Sequence, residues 1–399
     1  MKPALQSPDQ AIGPRAVVTE FRPAPPHIVA TPFAWRDPGE IPRRQWLFGR
    51  HAQRRYVSVT GADGGVGKTA LALTEAISLV TGRPLLNDGK IERAPAWYLG
   101  LEDDRDEYER RVAATLLAHR IEPSELRGGF FWDSGRDQEF IIVRETRDGL
   151  SIVEPILEGI KARIAEHNIA LLTVDPFIAS HAVSENDNGK IDFVMRQWAM
   201  IAEETGCAIE LNHHTRKGNG QSEQTADDLR GAGAMVRAAR SVRVLLQMTK
   251  EEAQRAGVDS RKRFFRVVSA KANVALHTDE GAWRELVSID LRNGDGVHLG
   301  DLVQAAAFWR FPDASDACTP EQLEEVRVAI AGGEWRENVQ AANWAGLAVA
   351  RALGLDASDP AAKESIKRAI RGWLADGTLV LVTKLDHKRM PKQFVTVPK

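Results

Sequence analysis

The run Thr60-Gly61-Ala62-Asp63-Gly64-Gly65-Val66-Gly67-Lys68-Thr69 has the residue types and spacing needed to hold phosphate. Glycines let backbone N–H groups turn inward around dense negative charge, and a helix N-terminus adds partial positive charge. A strand-like run at 56–60 precedes it and a helix-like run at 70–80 follows. That order of strand, glycine-rich turn, Gly-Lys-Thr and helix is a P-loop. Lys68 would reach the β/γ-phosphates and the Thr69 hydroxyl would hold Mg²⁺. Gly64, Gly65, Val66, Gly67 and Ala70 would offer backbone donors. The first position of the strict pattern is Ala62, with Gly61 one place early. A small side chain is tolerated there if its φ is negative. ATP and Mg²⁺ are the expected cofactors.

Further polar residues stand at the ends of apolar runs. Trp97-Tyr98-Leu99-Gly100-Leu101 leads to Glu102 and Asp103. In an open α/β sheet ligands sit at the carboxyl ends of strands, and a carboxylate there can take the proton of an attacking water. Glu102 is assigned that role and Asp103 a helix-capping one, which Asp104 and Asp106 also suit. Ile169-Ala170-Leu171-Leu172-Thr173-Val174 ends in Asp175, which fits a carboxylate orienting Mg²⁺ through water, or a turn former. Leu211-Asn212 ends in His213 and His214, of which His214 is preferred as the γ-phosphate contact. Arg237, Arg240 and Arg243 are candidates for a cation reaching a neighbour's γ-phosphate, or ordinary helix-surface arginines. Two polar stretches, 181–190 and 215–224, follow strand ends. They read as solvated loops or, in a ring, as loops tracking a phosphate backbone through Lys190, Arg216 and Lys217.

These residues need a scaffold that brings strand ends together. The chain has 399 residues, 43% hydrophobic and 27% charged, enough for two or three domains with a sizeable core. Net charge is −2, which excludes a global basic field. Residues 361–399 carry nine Lys/Arg against three Asp/Glu, so that end is +6 and the rest −8. Cys207 and Cys318 make neither a disulfide framework nor a zinc site alone, and a cytoplasmic setting is expected. No apolar run reaches the ~18 residues of a membrane span. Residues 1–27 are rich in Pro, Ala and Gln and read as disordered. From 55 to about 290, strand-like runs (55–60, 96–101, 129–132, 170–174, 207–211, 242–247, 264–269) alternate with helix-like ones (69–81, 105–119, 153–167, 190–205). The alternation predicts a doubly wound, mostly parallel α/β sheet.

The tail reads differently. Thr319-Pro320-Glu321-Gln322 starts a helix, others are expected at 338–353 and 360–375, and strand-like runs follow at 378–382 and 394–397. Three helices and a hairpin describe a winged helix. Ile366, Ala369, Ile370, Trp373 and Leu374 form its apolar stripe. Lys363, Lys367 and Arg371, with Lys384, His387, Lys388, Arg389 and Lys392 in the hairpin, form a basic face suited to a duplex backbone or simply solvated.

Taken together, the P-loop, Tyr98-Leu99-x-x-Glu102-Asp103, Val174-Asp175, His213-His214-x-x-Lys217-Gly218, Arg230-Gly231 and Lys271-Ala272-Asn273 resemble the RepA-like branch of the RecA-type ATPases, which includes hexameric plasmid replicative helicases. The resemblance covers about 45–290. It implies a RecA-like core, ATP bound between subunits of a hexameric ring, and single-stranded DNA in the channel; with the tail reading, the expected domains are the core at 28–300 and a winged-helix-like domain at 301–399. By matched positions it implies Lys68 and Thr69 on phosphate and Mg²⁺, Glu102 as base, Asp175 at the metal, His214 as γ-phosphate sensor and Arg240 as finger in trans. The expectation is an ATP-hydrolysing motor on single-stranded DNA, of the replicative helicase or translocase type. The alternative is an ATP-switched DNA-binding regulator or repair accessory without unwinding. The segment 315–399 lies outside the compact helicases of that branch.

Overall fold

The computed structural model describes residues 29–215, 233–272, 281–312, 318–385 and 390–398. Arg216, Lys217, Arg230, Gly231, Asn273, His387, Lys388 and Arg389, and the 1–27 segment, lie outside the described residues. The chain divides into two units at Arg43/Arg44. In the first, residues 29–43 hold one 3₁₀ turn, Pro38–Glu40, capped by Asp37, whose Oδ1 accepts from the Gly39 N–H at 2.7 Å.

The second unit is built on a nine-stranded sheet. Its strands in chain order are β1 (Val57–Ala62), β2 (Ala96–Gly100), β3 (Phe130–Ser134), β4 (Leu171–Asp175), β5 (Ala208–His214), β6 (Ser241–Gln247), β7 (Phe264–Ala272), β8 (Ala282–Asp290) and β9 (Leu302–Phe308). The spatial order is β9-β8-β7-β6-β1-β5-β4-β2-β3. β6, β1, β5, β4, β2 and β3 run parallel, and β7, β8 and β9 extend the sheet antiparallel. The P-loop strand therefore lies between β5 and β6 with its phosphate end among their carboxyl ends. This mostly parallel sheet with helical crossovers is a P-loop NTPase fold.

One face is covered by α1 (Lys68–Thr81) and α2 (Arg105–His119), the other by α3 (Glu154–His167), α4 (Asn188–Thr205) and α5 (Gly233–Ala238). The spacing of apolar residues explains the packing. On α4, Ile191, Val194, Met195, Trp198, Ile201 and Ala202 recur every three or four residues and are buried in the cluster beneath β1, β4 and β5. α1 is buried along almost its whole length, from Leu71 to Val80. The sheet covers one side of it, and β9 and α2 cover another. His181 follows a 3₁₀ turn (Phe177–Ser180), and its ring lies against Phe177, tilted by 60° with ring centroids 4.7 Å apart.

Burial pulls the His181 imidazole down to about 4, against a hydrogen bond involving the Val183 backbone. Its proton affinity is lower folded than unfolded, so the unfolded chain binds the extra proton. Its contribution, about 3 kcal/mol, is complete above pH ~6.5 and lost as pH falls towards ~4. Replacing His181 with Phe should flatten the acid limb of a stability–pH profile between those values. An unchanged limb would reassign that stability to other groups.

The sheet extends beyond the apolar runs in the sequence. β8 carries Trp283, Arg284, Glu285 and Ser288 between its apolar positions, and β9 is Leu-Val-Gln-Ala-Ala-Ala-Phe, whose alanines favour helix by propensity. β8 becomes a strand by pairing with β7 on one side and β9 on the other, and β9 by pairing with β8. Residues 302–308 consequently belong to the sheet of the core, past the boundary expected at 300. A small sheet of 143–146, 149–152 and 181–182 was also not foreseen.

Beyond 318 come α6's successors in the chain; α6 itself (Lys250–Ala256) lies between β6 and β7. They are α7 (Pro320–Ala331), α8 (Ala345–Leu353) and α9 (Pro360–Ala375), with strands β10 (Trp335–Arg336), β11 (Val380–Leu385) and β12 (Pro391–Thr396). The strands pair antiparallel in the order β10-β12-β11. Thr319 caps α7 through the expected box with Gln322. α8 begins at Ala345, seven residues later than the apolar pattern implies, because residues 335–344 form β10 and a turn. Ile366, Ala369, Ile370 and Trp373 of α9 pack on Val326, Ile330, Trp344 and Val349. No helix among the described residues is long and apolar enough to cross a membrane.

Candidate active site

β1 ends at Ala62, and the chain turns through Asp63–Gly67 into α1. Ala62 is fully buried and is not among the residues with positive φ, so the alanine fits where a glycine is usual. Gly65 and Gly67 do need to be glycine. Their φ values are +80° and +116°, and a Cβ on Gly67 would meet Leu286 Cδ2 at 2.9 Å. No side chain caps α1 at Gly67. Its first N–H groups are therefore open to an anion. Val66 instead turns inward, buried beside Leu71, Phe265 and Leu286.

Lys68 is buried, and its ammonium donates to the carbonyl oxygens of Ala62 (3.1 Å) and Asp63 (3.4 Å). It also lies 3.1 Å from His214 Nδ1 at the end of β5. Burial pulls its pKa below the ordinary lysine value, while Asp175, Glu102 and Asp63 oppose that pull. The ammonium is held by carbonyls and an imidazole at the mouth of the loop, as a phosphate-seeking cation should be. Thr69 Oγ1 donates to Asp175 Oδ2 at 2.8 Å, and the Tyr98 hydroxyl donates to the same oxygen at 2.6 Å. Burial and the adjoining Asp175 hold the Tyr98 phenol well above its ordinary range, so it remains a donor. A hydroxyl and a carboxylate already in contact suit Mg²⁺, which keeps waters and shares its shell with phosphates.

The P-loop floors a cleft of about 660 Å³. It is also lined by Glu102, Asp103, Asp175 and His214, by Arg110 and Arg111 of α2, and by residues 302–304 of β9. Glu102 is exposed with its carboxylate in the cleft. Asp103 does not cap α2. Asp104 does, accepting from the Glu107 N–H at 2.9 Å, because it stands three residues before that amide. Asp103 instead pairs with Arg111 at 2.9 Å. Arg110 bridges to Asp301 at 3.1 Å and ties α2 to the segment entering β9. The structure thus gathers Gly65, Gly67, Lys68, Thr69, Ala70, Glu102, Asp175 and His214 into one site. Gly64 stands exposed at the tip of the turn, outside the cleft lining.

The arginines separate. Arg243 is buried, with a bidentate pair to Glu75 (2.6 Å for each bond) and a 2.7 Å bond from Nε to Thr60. It is committed to the core and is not a finger. The Arg240 N–H donates to Val57 O and its guanidinium lies 4.9 Å from the Tyr56 ring centre. That is the opposite end of β1 from the P-loop, about 17 Å along a six-residue strand. Arg240 cannot reach the phosphates of its own chain. Arg237 is exposed, and its carbonyl, with those of Val236 and Ala239, accepts from Lys271 Nζ at 2.6–2.9 Å. Lys271 thus closes the C-terminal end of α5. Lys190 pairs with Glu145 at 2.5 Å.

Residues that pattern reading passed over lie buried between β1 and β5. Glu210, in the middle of β5, accepts from Ser58, Thr60 and the His51 ring (2.9 Å) and lies 3.9 Å from Arg243. Burial alone would raise this carboxyl, but His51, Arg243 and Ser58 hold it at about 2. A glutamate inside the apolar run Ala208-Ile209-Glu210-Leu211 was the available signal, since a charge in a buried strand requires partners.

A family model described as an AAA domain matches residues 22–220, a span that ends before β6. With the P-loop, the sheet and the cleft, that match supports the class: an ATPase of the P-loop type.

Proposed function

We propose that the protein is a ring-forming motor that couples ATP hydrolysis to movement on single-stranded DNA, of the RepA-like branch of RecA-type ATPases. The observation that carries this reading is His214. It touches Lys68 at the phosphate end and is followed after one residue by Arg216 and Lys217. A γ-phosphate contact joined directly to a cationic segment is the simplest way for nucleotide state to reach a DNA backbone. The strand order, with the P-loop strand between β5 and β6, supports a RecA-like core. In this reading Lys68 and the loop amides bind the phosphates, Thr69 and Asp175 hold Mg²⁺, and Glu102 takes the proton of the attacking water. Mg²⁺ would neutralise charge developing on the phosphates. Arg240, on the face remote from its own P-loop, would serve the site of the adjoining subunit in a hexamer. Lys190, Arg216 and Lys217 would contact the strand.

The order α7-β10-α8-α9-β11-β12 supports a winged-helix reading of the tail and keeps a second function in view, an ATP-switched DNA-binding regulator. Its basic face is partly neutralised: Lys384 pairs with Glu334 at 3.0 Å, Lys367 pairs with Glu364 at 2.5 Å, and Lys363 lies over Trp344. Steady-state ATP hydrolysis without DNA, with single strand and with duplex separates the two. A motor should be stimulated by single strand, and Arg216→Glu/Lys217→Glu should remove that stimulation while sparing basal turnover. Turnover that ignores DNA, or answers only to duplex, favours the regulator.

A further inference from the structure

We infer a second nucleic-acid backbone site on the antiparallel flank of the sheet, where arginines stack on a cluster of four aromatic rings. Phe264, Trp283, Trp309 and Phe311 meet with ring centres 4.6–5.7 Å apart. Arg263 lies 5.8 Å from the Phe264 ring centre, Arg266 5.6 Å from that of Trp283, and Arg255 5.8 Å from that of Phe311. Arg368 of α9 approaches Phe311 as well, at 5.5 Å, so the cluster joins the sheet to the tail helices.

A small apolar cluster needs only aliphatic neighbours to stay dry. This one is approached by guanidinium groups instead. A guanidinium over a ring is held flat and keeps N–H donors at its edge for a phosphate oxygen. Residues 250–266 carry six Lys/Arg against three Asp/Glu, in a chain whose net charge is −2. Two of these arginines are bridged to carboxylates, Arg263 to Glu285 and Arg266 to Glu252 at 3.8 Å. Arg255 and Lys262 are exposed, and their charges remain in excess. Nucleic acid suits this surface better than an acidic protein does. Its backbone matches the cations, and its bases can stack on the half-buried Trp283 and Trp309. The site shares no residue with Lys190, Arg216 and Lys217 and does not depend on the chain being a translocase.

The test is fluorescence anisotropy of a fluorescein-labelled 20-nucleotide oligomer, single-stranded or duplex, with the full chain between 50 and 200 mM salt. Arg255→Glu/Lys262→Glu should weaken binding at least tenfold. It should also reduce the slope of log K against log salt by about 1.4 for single strand and 1.8 for duplex, with DNA-free ATP turnover unchanged. Lys262→Glu alone, at an exposed position, should reduce the slope by about half as much, which keeps the test valid if the double variant folds poorly. Loss on either oligomer supports the site and identifies the form it prefers. Parental affinity and slope on both would overturn it and leave the surface to an acidic protein. Arg216→Glu/Lys217→Glu should still show binding that depends on Arg255 and Lys262, so failure of the motor reading and failure of this one are distinguishable.

Discussion

Glu102→Gln should bind ATP as tightly as the parent and hydrolyse it about 10²–10⁴ times more slowly, the usual contribution of a positioned general base. The substitution keeps size and polarity but cannot accept a proton. Glu102 lies in the cleft near enough to Lys68 for its charge to favour the ammonium, yet it is exposed and pairs with no cation among the described residues. Asp103, next to it, is already engaged with Arg111. Lys68→Met is the informative contrast. It removes the cation itself, so nucleotide affinity should fall together with turnover, the latter by about 10²–10³. Equilibrium binding of a fluorescent ATP analogue, measured beside single-turnover hydrolysis, separates the two. If Glu102→Gln hydrolysed at the parental rate, the proton would have to leave through another group.

Arg243→Leu should destabilise the core by about 3–5 kcal/mol, because it strands the Glu75 carboxylate in a site that excludes water. The side chains of the pair are only 8% and 5% exposed. Burial works against the Arg243 charge, but Glu75 and Glu210 outweigh it and hold the guanidinium pKa well above its ordinary value. Glu75→Leu should cost a similar amount by stranding Arg243. The double variant Arg243→Leu/Glu75→Leu removes both charges and should be more stable than either single one, since Glu210 keeps Ser58, Thr60 and His51. Thermal melts of the four proteins complete a double-mutant cycle. Single variants within ~0.5 kcal/mol of the parent would show that the pair does not hold α1 against β1 and β6.

Motif-bearing elements were legible because their signals are local. A P-loop needs its strand, turn and helix in immediate succession, and α1, α2, α3 and α4 begin within two residues of their expected starts. Asp175 and His214 were found because each ends a short apolar strand. What escaped depends on partners distant in sequence. Arg243 reads as a possible finger until Glu75, 168 residues away, is seen to hold it. β9, with its three alanines, carries no strand signal of its own until β8 pairs with it. Asp103 and Asp104 are equivalent in composition, and only the first turn of α2 decides between them.

The part of the cleft wall formed by residues 302–304 is made last. β1 is an early strand, yet both its neighbours are late ones, and Leu286 and Phe265 lie over Gly67 from later still. On a translating ribosome adding about 5–20 residues per second, the P-loop would wait roughly 12–50 s for that wall. A nascent chain halted near residue 220 would expose β1 without β6, and the long apolar face of α1 without β9. Vectorial synthesis therefore makes the segment from β6 to β9 the step that commits this ATPase to its fold, and the interval before it the one in which a chaperone would be of most use.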